Sequence, residues 1–126
     1  MRFPKDAEIK YIERCIALSS HTVEIKDRTV YGDGDVFYDS STSLFIDTQV
    51  YTKDYTDPGI YPRFAVNQDN YGPVTVPQNH CFKRGDNRDN SFDSRYWGFV
   101  PFESVVAKPV YIYWSREKNR IGTSIE

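Results

Sequence analysis

No stretch of this 126-residue sequence approaches the roughly 18 consecutive apolar residues that a membrane-spanning helix needs. The opening residues, Met1-Arg2-Phe3-Pro4-Lys5-Asp6, carry no apolar core of the kind that directs secretion. Nothing here is therefore expected to export or anchor the chain, and the compartment stays open. Charge of one sign is lacking too. Sixteen Lys and Arg against eighteen Asp and Glu leave a formal net charge of −2. That argues against nucleic acid, or an anionic membrane, held mainly by charge. Cysteine is scarce. Cys15 and Cys81 are too few for a disulfide framework and decide no compartment. Both lie on apolar runs and are expected as buried free thiols, with a disulfide open to them only if their strands adjoin.

Aromatic residues, by contrast, are plentiful at 16%, ten of them Tyr, which favours strands over helices. The length suits one domain over residues 1–126, able to bury roughly two-thirds of its unfolded surface. Residues 9–18 read as one long strand, with Ile9, Tyr11, Glu13, Cys15 and Ala17 on one face and Lys10, Ile12, Arg14, Ile16 and Leu18 on the other. Residues 22–26 alternate as a short strand, and Asp27-Arg28 turn into Thr29-Val30-Tyr31, a hairpin. Gly32-Asp33-Gly34-Asp35 is a turn. Residues 39–43 read as a loop, and residues 44–51 fit a strand or a short helix. Asp57-Pro58-Gly59 is a strong turn by composition. Val74-Thr75-Val76 and Cys81-Phe82-Lys83 are short strands around Pro77-Gln78-Asn79-His80. Residues 105–114 read as a strand with Pro109 at an edge or a bulge. The polar tail from about residue 115 is expected to fray. Many short strands with turn punctuation predict a mostly β, antiparallel domain.

The stretch Gly85-Asp86-Asn87-Arg88-Asp89-Asn90-Ser91-Phe92-Asp93-Ser94-Arg95-Tyr96-Trp97-Gly98 is the densest in special residues. Glycines at both ends allow turns at positive φ. The Asp, Asn and Ser side chains bond their own backbone and hold an irregular loop in one shape. Phe92, Tyr96, Trp97 and Phe99 give that loop something to bury. Such a stretch is a built site or a built brace, not a linker.

It closely resembles the last signature box of type I signal peptidases, membrane-anchored serine endopeptidases that remove signal peptides from exported proteins. That box reads Gly-Asp-Asn-Arg-Asp-Asn-Ser-x-Asp-Ser-Arg, an aromatic, Trp-Gly, then a hydrophobic-Pro step. Every fixed position is met between Gly85 and Pro101. Tyr71-Gly72-Pro73-Val74-Thr75-Val76-Pro77 is similar to the family's lead-in. Phe3-Pro4 through Tyr11-Ile12 is similar to its Lys-bearing strand region. The resemblance covers most of the chain, the middle only loosely. It implies a mostly β catalytic fold, an extracytoplasmic setting and an extended signal peptide as partner, with no cofactor.

In that family a Ser attacks the scissile carbonyl and a neutral buried Lys takes its proton. The Lys motif is Tyr-Ile-Lys-Arg, then Gly-Leu-Pro-Gly-Asp. Here the matching residues read Tyr11-Ile12-Glu13-Arg14-Cys15-Ile16-Ala17-Leu18-Ser19-Ser20-His21. The base position is thus Glu13, and Ser19-Ser20-His21 replaces Pro-Gly-Asp. Lys10, three positions away, would point to the opposite face of a strand. The resemblance also places the family's membrane segments and nucleophilic Ser before these residues. By resemblance Ser91 matches the Ser that orients the Lys, and Asp93 and Arg95 match a salt bridge near the site, with Arg14 beside it. Asp86 and Asn87 are expected to cap the turn after Gly85. Lys10, Tyr11 and Ile12 match the segment against which the family holds its substrate as a strand.

A Ser91–Glu13 hydrogen bond within a brace is expected rather than a new dyad, since a carboxylate is a weak base for Ser without an oxyanion hole. Lys83 or Arg84 is expected to pair with Glu13, because an unpaired buried carboxylate costs several kcal/mol. Metals are not expected. Asn87, Asp89, Ser91 and Asp93 alternate like an EF-hand but lack its sixth-position Gly and twelfth-position Glu. Cys15, His21, His80 and Cys81 make a poor zinc set, because His80 and Cys81 are adjacent and would face opposite ways. Three readings stay open: a non-catalytic homologue that binds extended peptides, an enzyme fragment completed by another segment or chain, and a structural relic. Dimerisation through exposed strand edges is open too.

Overall fold

Val23, Ile25 and Val30 lie on two short strands whose other residues are polar or aromatic, and that alternation sets the first sheet. In this computed structural model, which describes residues 2–3, 6–38, 45 and 49–124, strand β4 (Thr22–Lys26) pairs antiparallel with β5 (Thr29–Gly32). The three apolar side chains are almost fully buried. The hairpin loop is Asp27-Arg28, with φ of 45° and 74°. A primed turn of this kind follows strand twist but strains any residue with a Cβ. Arg28 is held there from outside. Its backbone N–H donates to the Asp69 carbonyl at 3.0 Å and its guanidinium to the Asp69 carboxylate at 3.2 Å. A second two-residue turn, Asp33-Gly34, leads into β6 (Asp35–Tyr38).

Strand β7 (Tyr71–Thr75) closes this sheet on its other side, giving the order β6-β5-β4-β7. Gly72 is required there. Its φ is +83°, and a Cβ would stand 2.7 Å from the Val23 carbonyl oxygen. The second sheet has the order β3-β8-β9, from Arg14–Leu18, His80–Arg84 and Val100–Pro101. A small ribbon joins β1 (Arg2–Phe3) to β2 (Asp6–Lys10). Among the described residues all pairings are antiparallel, and the protein is mostly β. The core lies between the two larger sheets, where Phe82 is fully buried with ring centroids 5.5 Å from Tyr71 and 6.3 Å from Phe99.

Several expectations are corrected. The strand over residues 9–18 is two strands, because residues 11–13 leave the ladder. Tyr11 instead packs on the cluster of Cys81, Trp97 and Val100. The strand over 105–114 does not form. Only Tyr111 makes an isolated bridge, to Ser124, and Val105, Val106 and Val110 stay exposed. The tail makes a 3-10 turn at Lys118–Arg120 and returns to residue 112, where Gly122 N–H donates to the Ile112 carbonyl at 2.7 Å. Gly85 does not have a positive φ. Its missing Cβ matters because that atom would collide with the Ser91 side chain. The loop at 39–43, and 44–51 apart from residues 45 and 49–51, lie outside the described residues.

Phe82→Ala is expected to cost about 3–5 kcal/mol of unfolding free energy in urea, as for other buried aromatics. Phe92, 56% exposed in the box, should cost under about 1 kcal/mol when truncated. Equal losses at the two positions would contradict the core as described.

Candidate functional site

Asp93 caps the one-turn helix α1 (Ser94–Trp97), its Oδ1 accepting the Arg95 backbone N–H at 3.1 Å. The same carboxylate grips the Arg95 guanidinium at both oxygens, Nε to Oδ1 and Nη2 to Oδ2, each at 2.8 Å. Oδ2 also accepts the Gly85 N–H at 3.3 Å. Neither residue is exposed to solvent. Burial by itself would raise the Asp93 carboxyl, but the Arg95 charge and its hydrogen bonds outweigh it and hold the group below the usual carboxylate range. Arg95 reaches on to the Arg88 carbonyl at 2.8 Å. Ser94 Oγ accepts the Lys83 N–H at 3.0 Å, and Trp97 Nε1 donates to the Phe92 carbonyl at 2.6 Å. The Ser94 bond ties the box to β8, and the others fold the box on itself.

Ser91 belongs to this brace. Its Oγ accepts the Gly85 N–H at 3.1 Å and its hydroxyl serves Asp93. No hydrogen bond joins it to Glu13 among the described residues. Asp86 does not cap the turn. It forms a two-pronged pair with Arg14, with Nε to Oδ1 and Nη2 to Oδ2 both at 2.8 Å, partly exposed to solvent. Asn87 closes the turn through its backbone, its carbonyl accepting the Asn90 N–H at 3.3 Å.

A cleft of about 540 Å³ opens beside the box. Ile12, Glu13 and Cys15 line it together with Lys83 of β8 and Asp86 of the box, and residues 105–109 contribute Val105, Ala107, Lys108 and Pro109. Ile12 is largely exposed, Lys10 is exposed at the end of β2, and Tyr11 is half-buried. Glu13 is the chemically unusual member. Its Oε2 is buried without a hydrogen-bond partner. Burial, then the nearby Asp93 charge, pushes its carboxyl up to about 7, against the opposing pull of Lys83. The expected ion pair is not made. Among the described residues no salt bridge joins Glu13 to Lys83 or Arg84. Arg84 faces the core beside Arg95 and Arg88, 1% exposed, and its Nε and Nη1 find no acceptor.

Chain parity explains why Arg84 is out of reach. Alternation along β8 sends Phe82 and Arg84 inward and Cys81 and Lys83 to the other face. The carboxylates that mimic an EF-hand turn to arginines, Asp93 to Arg95 and Asp89 toward Arg28 at 3.8 Å. His21 bonds Asp33 at 2.7 Å and His80 the Gln78 carbonyl at 2.7 Å. Among the described residues no three His, Cys, Asp or Glu gather as a metal site.

One buried network escaped the sequence reading. Asn67 is fully buried. Its Nδ2 donates to the Thr52 and Tyr55 carbonyls at 2.8 and 2.7 Å, and its Oδ1 accepts the Asp69 and Asn70 N–H groups. Asn70 and Asp69 then hold the Asp27-Arg28 turn. The cluster Asn67-Gln68-Asp69-Asn70 was the available signal, since Asn and Asp bond nearby backbone.

The family model described as "Signal peptidase, peptidase S26" matches residues 1–114, and the chain belongs to that family. Signal peptidase I of Rickettsia akari is 33% identical over 134 residues, 94% of this chain and 50% of that protein. Thylakoidal processing peptidase 1 of Arabidopsis thaliana is 36% identical over 101 residues, 79% of this chain and 27% of that protein. A crystal structure of a signal peptidase I from Enterococcus faecalis aligns with a TM-score of 0.49 at 31% identity, covering 74% of this chain and 76% of that one. The chain spans half or less of the length of these two curated relatives.

Two outcomes test this geometry. Asp93→Asn should cost about 3–5 kcal/mol in chemical denaturation, because it leaves a buried Arg unpaired. Arg14→Ala should cost under about 1 kcal/mol, because its pair with Asp86 is solvent-screened. The second outcome concerns Glu13. Its folded pKa of about 7 lies above the ordinary 4.5, so between these values the folded state holds a proton that the unfolded state has released. Its contribution to stability is therefore full below about 4.5 and is lost as pH rises through about 7. The melting temperature of the wild type relative to Glu13→Gln should fall across that window and run parallel outside it. Parallel curves throughout would show a solvated Glu13.

Proposed function

We propose that these residues form the peptide cleft of a signal-peptidase-like protein, and that they hold an extended, signal-peptide-like chain without cleaving it. The observation that carries this is the edge position of β3. Its sheet has the order β3-β8-β9, so among the described residues one side of β3 lacks a ladder partner, and Ile12 and Glu13 before it line the cleft. An unpaired strand edge beside an apolar-lined groove is the surface on which a peptide adds as one more strand. A second copy of the chain would compete for the same edge.

The absence of cleavage rests on Glu13. The resemblance puts a Lys there as the base that takes a proton from Ser. Here a carboxyl pushed up to about 7 stands in its place, and by the same resemblance the Ser it would serve belongs to a segment these residues do not match. One observation favours a second reading: the chain spans only half or less of two relatives named as peptidases. An active site completed by another segment or chain would then still have to work around Glu13.

Amide NMR with a peptide carrying small residues at Ala-x-Ala spacing separates these readings. Resonances of Tyr11 to Cys15 should shift, with no cleavage product by mass spectrometry, and Glu13→Lys should gain no activity. Unmoved resonances would remove the peptide-binding reading. Cleavage by either protein would remove the non-catalytic one.

A further inference from the structure

The cleft wall contains a chemistry that the peptide reading leaves unused. Strands β3 and β8 pair with Cys15 opposite Lys83 and Leu18 opposite Cys81, and the register shifts between Cys15 and Ala17. The bulge turns both Ile16 and Ala17 onto the core face over Phe82, all three buried. Cys15 is therefore left on the opposite face, the one that also carries Lys83 and Cys81. In the reduced protein the Cys15 thiol donates to the Ala17 carbonyl at 3.8 Å and the Cys81 thiol to the Val100 carbonyl at 3.6 Å. Their surroundings differ. Cys15 is exposed and lines the cleft next to Glu13. Cys81 is 1% exposed, packed under Tyr11 and Trp97. The expectation of two buried thiols holds for Cys81 alone, and the condition for a disulfide, adjoining strands, is met.

We propose that Cys15 and Cys81 are a redox-active dithiol site, oxidised by small-molecule disulfides of the glutathione type, with Cys15 the attacking and Cys81 the resolving thiol. The Cys15 thiolate attacks one sulfur of glutathione disulfide, forming a mixed disulfide and expelling one glutathione thiolate. Cys81 loses its proton to that departing base and attacks the Cys15 sulfur, expelling the second glutathione. Two thiols are oxidised to one disulfide, and one glutathione disulfide is reduced to two thiols. The buried thiol reacts within the protein, so it needs no solvent access. Oxidation staples β3 to β8 and withdraws the Cys15 sulfur from the cleft wall beside Glu13.

The electrostatics fit this division. The neighbouring Cys81 thiol lowers the Cys15 thiol to about 6, against burial and with help from the Lys83 charge. Cys81, which keeps the proton, is raised by its Cys15 neighbour, by burial and by the Glu13 charge.

The inference does not depend on peptide binding, and its test reads neither peptide nor cleavage. The reduced 126-residue protein is incubated with glutathione disulfide, quenched with iodoacetamide in denaturant so that both thiols are reachable, and weighed intact. The wild type should lose both alkylation sites together and retain no glutathione, as a monomer. Cys81→Ser should stop at one glutathione on Cys15. Alkylation of Cys15 should be half-maximal near pH 6 in the wild type and should move up toward the ordinary thiol value of 9.0 in Cys81→Ser. A wild type that keeps glutathione, stays reduced or links two chains would overturn the proposal. That wild-type result stands even where the variant does not fold.

Discussion

The Asp93–Arg95 ion pair is the constraint on which the rest of the site depends. Two charges with almost no solvent exposure are costly to bury, and the cost is offset only when nearly every lone pair and N–H is used. Asp93 meets that condition by accepting from Arg95 at both oxygens, from the Arg95 N–H and from Gly85. The pair fixes the turn of α1, the approach of Gly85 to Ser91, and the path of β8 into the box. Its charge also reaches Glu13, where it adds to the effect of burial. A single carboxylate thus links the brace to the chemistry of the cleft.

Around that pair, charge is distributed unequally. Arg14 and Asp86 form a similar fork in solvent, which shapes the rim but contributes little to stability. Arg84 is buried with no acceptor for two of its nitrogens, a cost that the well-made parts of the loop must outweigh. Glu13 avoids a comparable cost by holding its proton near neutral pH. The cleft therefore presents a protonatable carboxyl, an exposed thiol and an unpaired strand edge within one groove.

Much of this was legible because the relevant contacts are short in sequence. Asp93 and Arg95 are two residues apart, and Gly85 and Ser91 six, so turn chemistry alone marks the box. The hairpin of β4 and β5 was legible from alternation. What failed depends on distant partners. Residues 11–13 look like a continuing strand, but the ladder with β8 begins only at Arg14 opposite Arg84, and the Tyr11 ring is drawn to Trp97 and Val100 instead. Residues 105–114 have strand composition but, among the described residues, no strand beside them. The exposure of Cys15 follows from a bulge at Ile16 that no local pattern announces. The Asn67 network joins segments more than ten residues apart, and composition could mark its Asn and Asp as turn formers but not as buried.

Native-state hydrogen exchange at the Gly85 and Arg95 amides tests the central claim most directly, because both donate to the Asp93 carboxylate. If the buried pair governs the site, these two loop amides exchange only when the whole protein unfolds, with protection equal to that of the Val23 and Phe82 amides. If they exchange as fast as the amides of the exposed turn at Gly34, the box is a mobile loop and Asp93 does not organise it.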